Sequence, residues 1–416
     1  MLDQAIPIRQ LSNGIKVVFL PVISEVAHMG VTVLGGSRYE NRNEIGLAHF
    51  LEHCFFKGTK KRKTFHVLSR IDSVGGELNA FTTKEEICVY ASFVKKHFDR
   101  AAELLADIVI NSNFPEKEIE KEKEIILDEI NSYLDSPSDR IMDDFEYYLF
   151  KDHPLGENIL GTRESVTSFS QQALWSYLKR FFHTRNMAIS VVGNFDENKV
   201  MKVLEKYFSE IPGQQELSLP ETFQNYQPFD IRKKESNYQS HVNIGSIAPG
   251  YDEEKERRAL TLLINVLGGP ALNSRLVLGI REKYGYTYSI EANYNPFKEI
   301  GYWHIYFGCD ERYVDKTLRL VDKELIKLRN ERFTTIQLHR AKEQYKGHLA
   351  LSMESHSGLM MGLGKSALLF NQIDSTESIY KAVDELTAED LLEVANQYFS
   401  PEKLSRLVYL QKENEY

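Results

Sequence analysis

Two periods run through the apolar and polar positions of this chain. Runs such as ICVYASF (87–93) and GYWHIYFG (301–308) have strand length and strand pattern, while 115–134 and 334–352 repeat apolar residues at helical spacing. IKVVFLPVI (15–23) is too short, and too closely followed by polar residues, for a secretory leader, and reads as an amphipathic or buried strand. Strands and helices mix without regular βαβ alternation. The expected fold class is therefore α+β, each part a mostly antiparallel sheet covered by helices.

The periodicity lapses once near the middle. IPGQQELSLPETFQNYQPFDIRKKES (211–236) holds three Pro and many Gln and Ser, a linker's composition. The expected division is a first domain over 1–211, a linker over 212–235 and a second domain over 236–416. The halves are related. Residues 27–58 lie on 240–270 at an offset of 213, each reading as strand, polar turn and helix.

That register isolates one polar trio. GLAHFLEHCFFKG (46–58) is an apolar helix interrupted by His49, Glu52 and His53, and the second half carries Leu262, Asn265 and Val266 at the same places. At 100° per residue the three side chains share an arc of about 100°. Two imidazoles one turn apart form a zinc clip, and a carboxylate on the same face is placed to take a proton from a coordinated water. The order His-x-x-Glu-His is the inverzincin signature. The bland alternative is a pair of hydrogen-bonded core histidines, so a third ligand is the deciding feature.

The helix EKEIEKEKEIILDEI offers many acids, most of them on a solvated face paired with Lys. Glu122 and Glu129 stand seven residues apart, hence on nearly one face, and Glu129 lies in the apolar stretch IILDEI. An unpaired carboxylate is costly to bury there, and a cation would remove that cost.

Composition narrows the partners. Net charge is −9 over 416 residues, which gives a phosphate backbone nothing to attract, so no nucleic acid is expected. The one dense basic stretch, Lys60-Lys61-Arg62-Lys63, reads as a solvated loop. No stretch reaches the ~20 apolar residues of a membrane span. Cys54, Cys88 and Cys309 match no zinc spacing and cannot all pair, which fits a reducing, cytoplasmic setting.

His49-x-x-Glu52-His53, followed 76 residues after His53 by Glu129 with Glu122 seven before it, resembles the pitrilysin family of zinc peptidases, which includes insulin-degrading enzyme and the mitochondrial processing peptidase. The resemblance runs over nearly the whole chain and includes GSRYENRNEIGLAHFLEH, GGELNAFTTKEE and IREKYGYTY. It implies one zinc per chain held by His49, His53 and Glu129, with Glu52 as general base and Glu122 orienting a ligand histidine. It also implies that Asn79, Ala80 and Phe81 lie on an edge strand that pairs with the substrate backbone.

In the second half, Arg281 and Tyr288 match by their spacing the Arg/Tyr pair that the family uses opposite the zinc, where they hydrogen-bond to the carbonyl and the developing oxyanion. Tyr284, Tyr286 and Tyr288 would share one face of a strand, and spacing alone selects Tyr288. Longer family members carry four such domains, so this chain is expected to form half of a clamshell chamber and to homodimerise. Arg281 and Tyr288 of one copy would then complete the site of the other. The function implied is a zinc-dependent endopeptidase acting on peptides or unfolded segments; a processing peptidase and a non-catalytic scaffold subunit are the alternatives. Cys54, His28 and His241 read as structural, and HSGLMMGLG (356–364) as a flexible loop or hinge.

Overall fold

A computed structural model describes residues 6–213 and 220–411. The first sheet has the order β1-β2-β6-β3-β5-β4, built from β1 (Ile8–Gln10), β2 (Lys16–Pro21), β3 (Val26–Leu34), β4 (Glu77–Thr82), β5 (Glu86–Val94) and β6 (Met187–Gly193). Only β2 and β6 pair in parallel. Strands β3 and β6 are central and almost wholly buried, which is why their sequences run apolar instead of alternating. β4 is an edge.

One face of this sheet carries Val17, Phe19, Ile189 and Val191 into a core shared with helices α1 (Leu47–Cys54), α2 (Thr64–Asp72), α3 (Phe98–Asn111) and α4 (Glu116–Leu134). Alternate residues, Val18, Ala188 and Val192, point to the other face, where Met360, Leu363 and Ala367 of the helix His356–Leu369 cover them. The loop expected at 356–364 is thus a packed helix. Its glycines permit close approach: a Cβ on Gly364 would stand 2.5 Å from Thr32 Oγ1.

The second sheet has the order β7-β11-β8-β10-β9, from β7 (Asp230–Glu235), β8 (Ser240–Pro249), β9 (Thr287–Pro296), β10 (Ile300–Cys309) and β11 (Ser405–Gln411). β7 and β11 are parallel and the other pairs antiparallel. Val242, Ile244, Trp303, Ile305 and Phe307 face the helix Glu254–Gly268 and its neighbours. The opposite face, with Tyr302, Leu407 and Tyr409, is covered by Ile141, Phe145 and Leu149 of α5 (Pro137–Leu149). Both sheets are mostly antiparallel and helix-covered, as the α+β expectation required.

The compact units are discontinuous. One comprises Met1–Asn131, Glu157–Glu221 and Ala350–Ile379, the other Ser132–Gly156, Thr222–Leu349 and Tyr380–Tyr416. The boundary expected at 212–235 therefore separates the strands of the two sheets except β7, which lies inside the expected linker, and it misassigns two helices. Residues 214–219 of that linker lie outside the described residues. Each half contributes to the other's unit the helix that follows its own long helix: α5 after α4, and His356–Leu369 after Thr335–Ser352.

Candidate metal centre

Helix α1 begins at Gly46, whose φ of 93° suits glycine; a Cβ there would stand 2.6 Å from Gly161 Cα. The buried Glu40 carboxylate accepts hydrogen bonds from the Gly46 and Ala48 N–H groups at 2.8 and 2.7 Å, satisfying donors that a helix start leaves free. Burial is the main force on that carboxyl and pushes it up to about 8. Leu47, Ala48, Phe50, Leu51 and Cys54 are all buried, so the remaining arc, His49, Glu52 and His53, is turned away from the apolar core toward α4 and β4.

There the three candidate ligands meet. His49 Nε2 lies 3.9 Å and His53 Nε2 3.7 Å from Glu129 Oε2, and the three ligand atoms fall within 4.8 Å of one another. Donors at the corners of a zinc tetrahedron, with bonds of about 2.0–2.1 Å, stand roughly 3.3 Å apart. The two pairs to Glu129 stand about half an ångström wider than that, and all three donors lie within 4.8 Å of one another; two imidazoles with one carboxylate are the donor set of catalytic zinc sites that keep an open position. The residues fit the metal. Burial, followed by the neighbouring His53, lowers the His49 imidazole to about 4, so it is a neutral donor at ordinary pH. Among the described residues no other group of His, Cys, Asp and Glu gathers in this way.

Glu129, expected in an apolar setting, is the more exposed of the two acids. Glu129 is 44% exposed, while Glu122 is 2% exposed and accepts from Lys57 Nζ at 2.7 Å through Oε1 and from His53 Nδ1 at 3.2 Å through Oε2. The buried acid is compensated by a lysine ammonium. Burial alone would raise the Glu122 carboxyl; the His53 and Lys57 bonds outweigh it and hold the group below the usual carboxylate range. α4 thus holds His53 through Nδ1 and leaves Nε2 facing Glu129. His49 Nδ1, by contrast, is buried without a hydrogen-bond partner.

Glu52 is half-buried, and its Oε2 accepts a 2.6 Å hydrogen bond from the Thr82 hydroxyl. Burial raises its carboxyl, against the opposing effects of Thr82 and His53. Thr82 ends β4, the edge strand that carries Asn79, Ala80 and Phe81, and Asn79 Oδ1 accepts from the Ala80 N–H at 2.9 Å. Sequence reasoning missed Lys57, Thr82 and Glu40. Lys57 lies past the end of α1, where helical spacing no longer applies, and Glu40 acts across a turn, so neither left a periodic signal. Arg62 also departs from its expected solvated loop, because it forms ion pairs with Glu103 and the buried Asp107.

Arg281 and Tyr288 belong to the other unit. Arg281 sits in a short π-helix, Val277–Glu282, and its guanidinium lies 5.5 Å from the Tyr288 ring centroid. Tyr288 is 87% exposed, whereas Tyr284 and Tyr286 stack on each other, and Tyr286 stacks in turn on Tyr313. The three tyrosines do not share a strand face, because β9 begins only at Thr287.

Residues 22–163 match the family model described as Insulinase (Peptidase family M16), and 168–345 match Peptidase M16 inactive domain. A Bacillus subtilis protein named as an uncharacterized zinc protease is 33% identical over 399 residues, covering 95% of this chain and 96% of its own. The chain belongs to the insulinase family. Another family member, named as an uncharacterized zinc protease of Mycobacterium leprae, is 34% identical, covering 93% of this chain and 88% of its own. A crystal structure of a protease from Helicobacter pylori shares the fold, with a TM-score of 0.88 at 21% identity over 99% of this chain and 100% of that one. A Pseudomonas fluorescens structure titled as a peptidase M16 inactive domain superposes with a TM-score of 0.90 at 18% identity, covering 98% and 99% of the two chains. The second insulinase-family match has a physical basis here: the helix Glu254–Gly268 buries Leu262 and Asn265 where α1 presents His49 and Glu52, and Asn265 Oδ1 only accepts from His348 Nδ1 at 3.0 Å. No helix of the described residues is long and apolar enough to cross a membrane.

Proposed function

We propose that this chain is a zinc-dependent endopeptidase that hydrolyses peptides or unfolded polypeptide segments. The observation that carries the reading is the convergence of His49 Nε2, His53 Nε2 and the Glu129 carboxylate beside the carboxyl of Glu52. When bound, zinc would supply Lewis acidity toward the scissile carbonyl and lower the pKa of a water. Glu52 accepts a proton from the attacking water and later delivers it to the leaving amine, so that one carboxyl serves as base and then as acid. Thr82 fixes the direction of that carboxyl, and Glu122 fixes the His53 ring. Strand β4 offers its free edge to an extended peptide, which selects backbone conformation before side chain. The test is zinc content measured together with hydrolysis of a quenched peptide, with and without a chelator; hydrolysis that persists after complete metal removal contradicts the reading.

Thr82→Val is expected to retain zinc and to lose roughly ten- to a hundredfold in kcat, because a hydrogen bond to a charged group is worth about 1.5–3 kcal/mol. Steady-state kinetics on the zinc-loaded variant, with Thr82→Ser as the conservative comparison, measures this.

The same reading assigns the exposed Tyr288 and the partly exposed Arg281 beside it to the site of a second copy within a closed chamber. Two chains disabled at different places, Glu52→Gln and Arg281→Ala, should then regain activity when mixed, up to about a quarter of wild type if copies pair at random. Activity no higher than that of either parent means that the site is not shared. Three unpaired cysteines, all buried, support a reducing, cytoplasmic setting. A cleavage profile on a random peptide library separates a broad degrader from a processing enzyme with narrow site choice.

A further inference from the structure

The geometry points to Lys57 as a positioning residue for the metal centre, one that acts through Glu122 to fix the orientation and tautomer of His53. It rests on the metal reading above and extends it to a side chain that touches none of the three ligands. The Glu122 carboxylate has two oxygens with separate partners: Oε1 accepts from Lys57 Nζ at 2.7 Å and Oε2 from His53 Nδ1 at 3.2 Å. An ionised carboxylate only accepts, so His53 must carry its proton on Nδ1, which leaves the Nε2 lone pair directed to the side where Glu129 lies 3.7 Å away.

Without Lys57, Glu122 would be a carboxylate 2% exposed with one oxygen unsatisfied and no compensating charge. Such a group rotates or draws in water to recover partners, and either movement releases the His53 ring. Lys57 is itself well placed to prevent this. Its side chain is 23% exposed, and its backbone is fixed on both sides, the N–H donating to Cys54 O at 3.2 Å and the carbonyl accepting from the Thr64 hydroxyl at 2.8 Å. The side chain therefore reaches Glu122 from an anchored turn. His53 depends on this tether more than His49 does, because it is the more exposed of the two rings and Glu122 is what its Nδ1 bonds among the described residues.

The test compares apo-protein carrying Lys57→Met, Lys57→Arg, Glu122→Gln or the double change Lys57→Met/Glu122→Gln with wild type. Zinc affinity is read by competition with a chromophoric chelator, and geometry by the visible spectrum of the cobalt(II) form. Lys57→Met should bind zinc about ten- to a hundredfold more weakly, the range typical for loss of a residue that orients a ligand. Its cobalt spectrum should shift, and Lys57→Arg should restore affinity to within a few fold. The double variant removes the uncompensated buried charge and so guards against misfolding; it should bind zinc no more weakly than Glu122→Gln alone. Wild-type affinity in Lys57→Met, or additive losses in the double variant, would overturn the assignment. A wild-type chain that binds no zinc would overturn the metal reading and this inference with it.

Discussion

Replacing Glu52 with Gln should leave one zinc bound per chain and cut peptide hydrolysis by about 10³–10⁴-fold, the upper part of the range for a general acid–base group. The two properties separate because Glu52 is not among the converging donors; its Oε2 is occupied by Thr82. A glutamine of the same shape still accepts the Thr82 hydroxyl bond and still packs beside β4. It cannot take up a proton from water or return one to the leaving amine. Metal analysis and single-turnover hydrolysis on the same sample check the pair of expectations. Substantial turnover in the variant contradicts the base assignment, and loss of metal makes Glu52 a structural member of the site.

Glu129→Ala has the opposite signature. It should lower zinc affinity on the order of a hundred- to a thousandfold, taking binding of ~10–16 kcal/mol shared among four ligands as the scale. The apo fold should be almost unaffected, since the side chain is 44% exposed and lies away from the core, where substitutions usually change stability by about 0.5 kcal/mol or less. Equilibrium dialysis against zinc, with thermal melts of both apo-proteins, tests this. Equal affinity in wild type and variant removes Glu129 from the ligand set.

The convergence of these side chains was legible in the sequence because helices have a fixed period. His49, Glu52 and His53 share an arc whatever surrounds them, and seven residues return Glu129 to the face of Glu122. Which of the two acids is buried was not legible. Local apolar neighbours pointed to Glu129, yet tertiary packing buries Glu122, and the compensating charge comes from Lys57 after the end of another helix. The glycines of 356–364 were misread for a related reason. In isolation Gly358, Gly362 and Gly364 signal flexibility, whereas against β3 Gly364 is what permits the contact. β7 lies within a polar, Pro-containing stretch, and its strand character comes from pairing with β11 far along the chain.

The reciprocal loan of covering helices sets a timetable for synthesis. The first sheet keeps Val18, Ala188 and Val192 bare until Met360, Leu363 and Ala367 have been made, so its hydrophobic closure must wait until nearly nine-tenths of the polypeptide has left the ribosome. A fragment ending at residue 211 would present that surface to water and to other nascent chains. The same fragment should become soluble when the missing partner segment is co-translated from a second message.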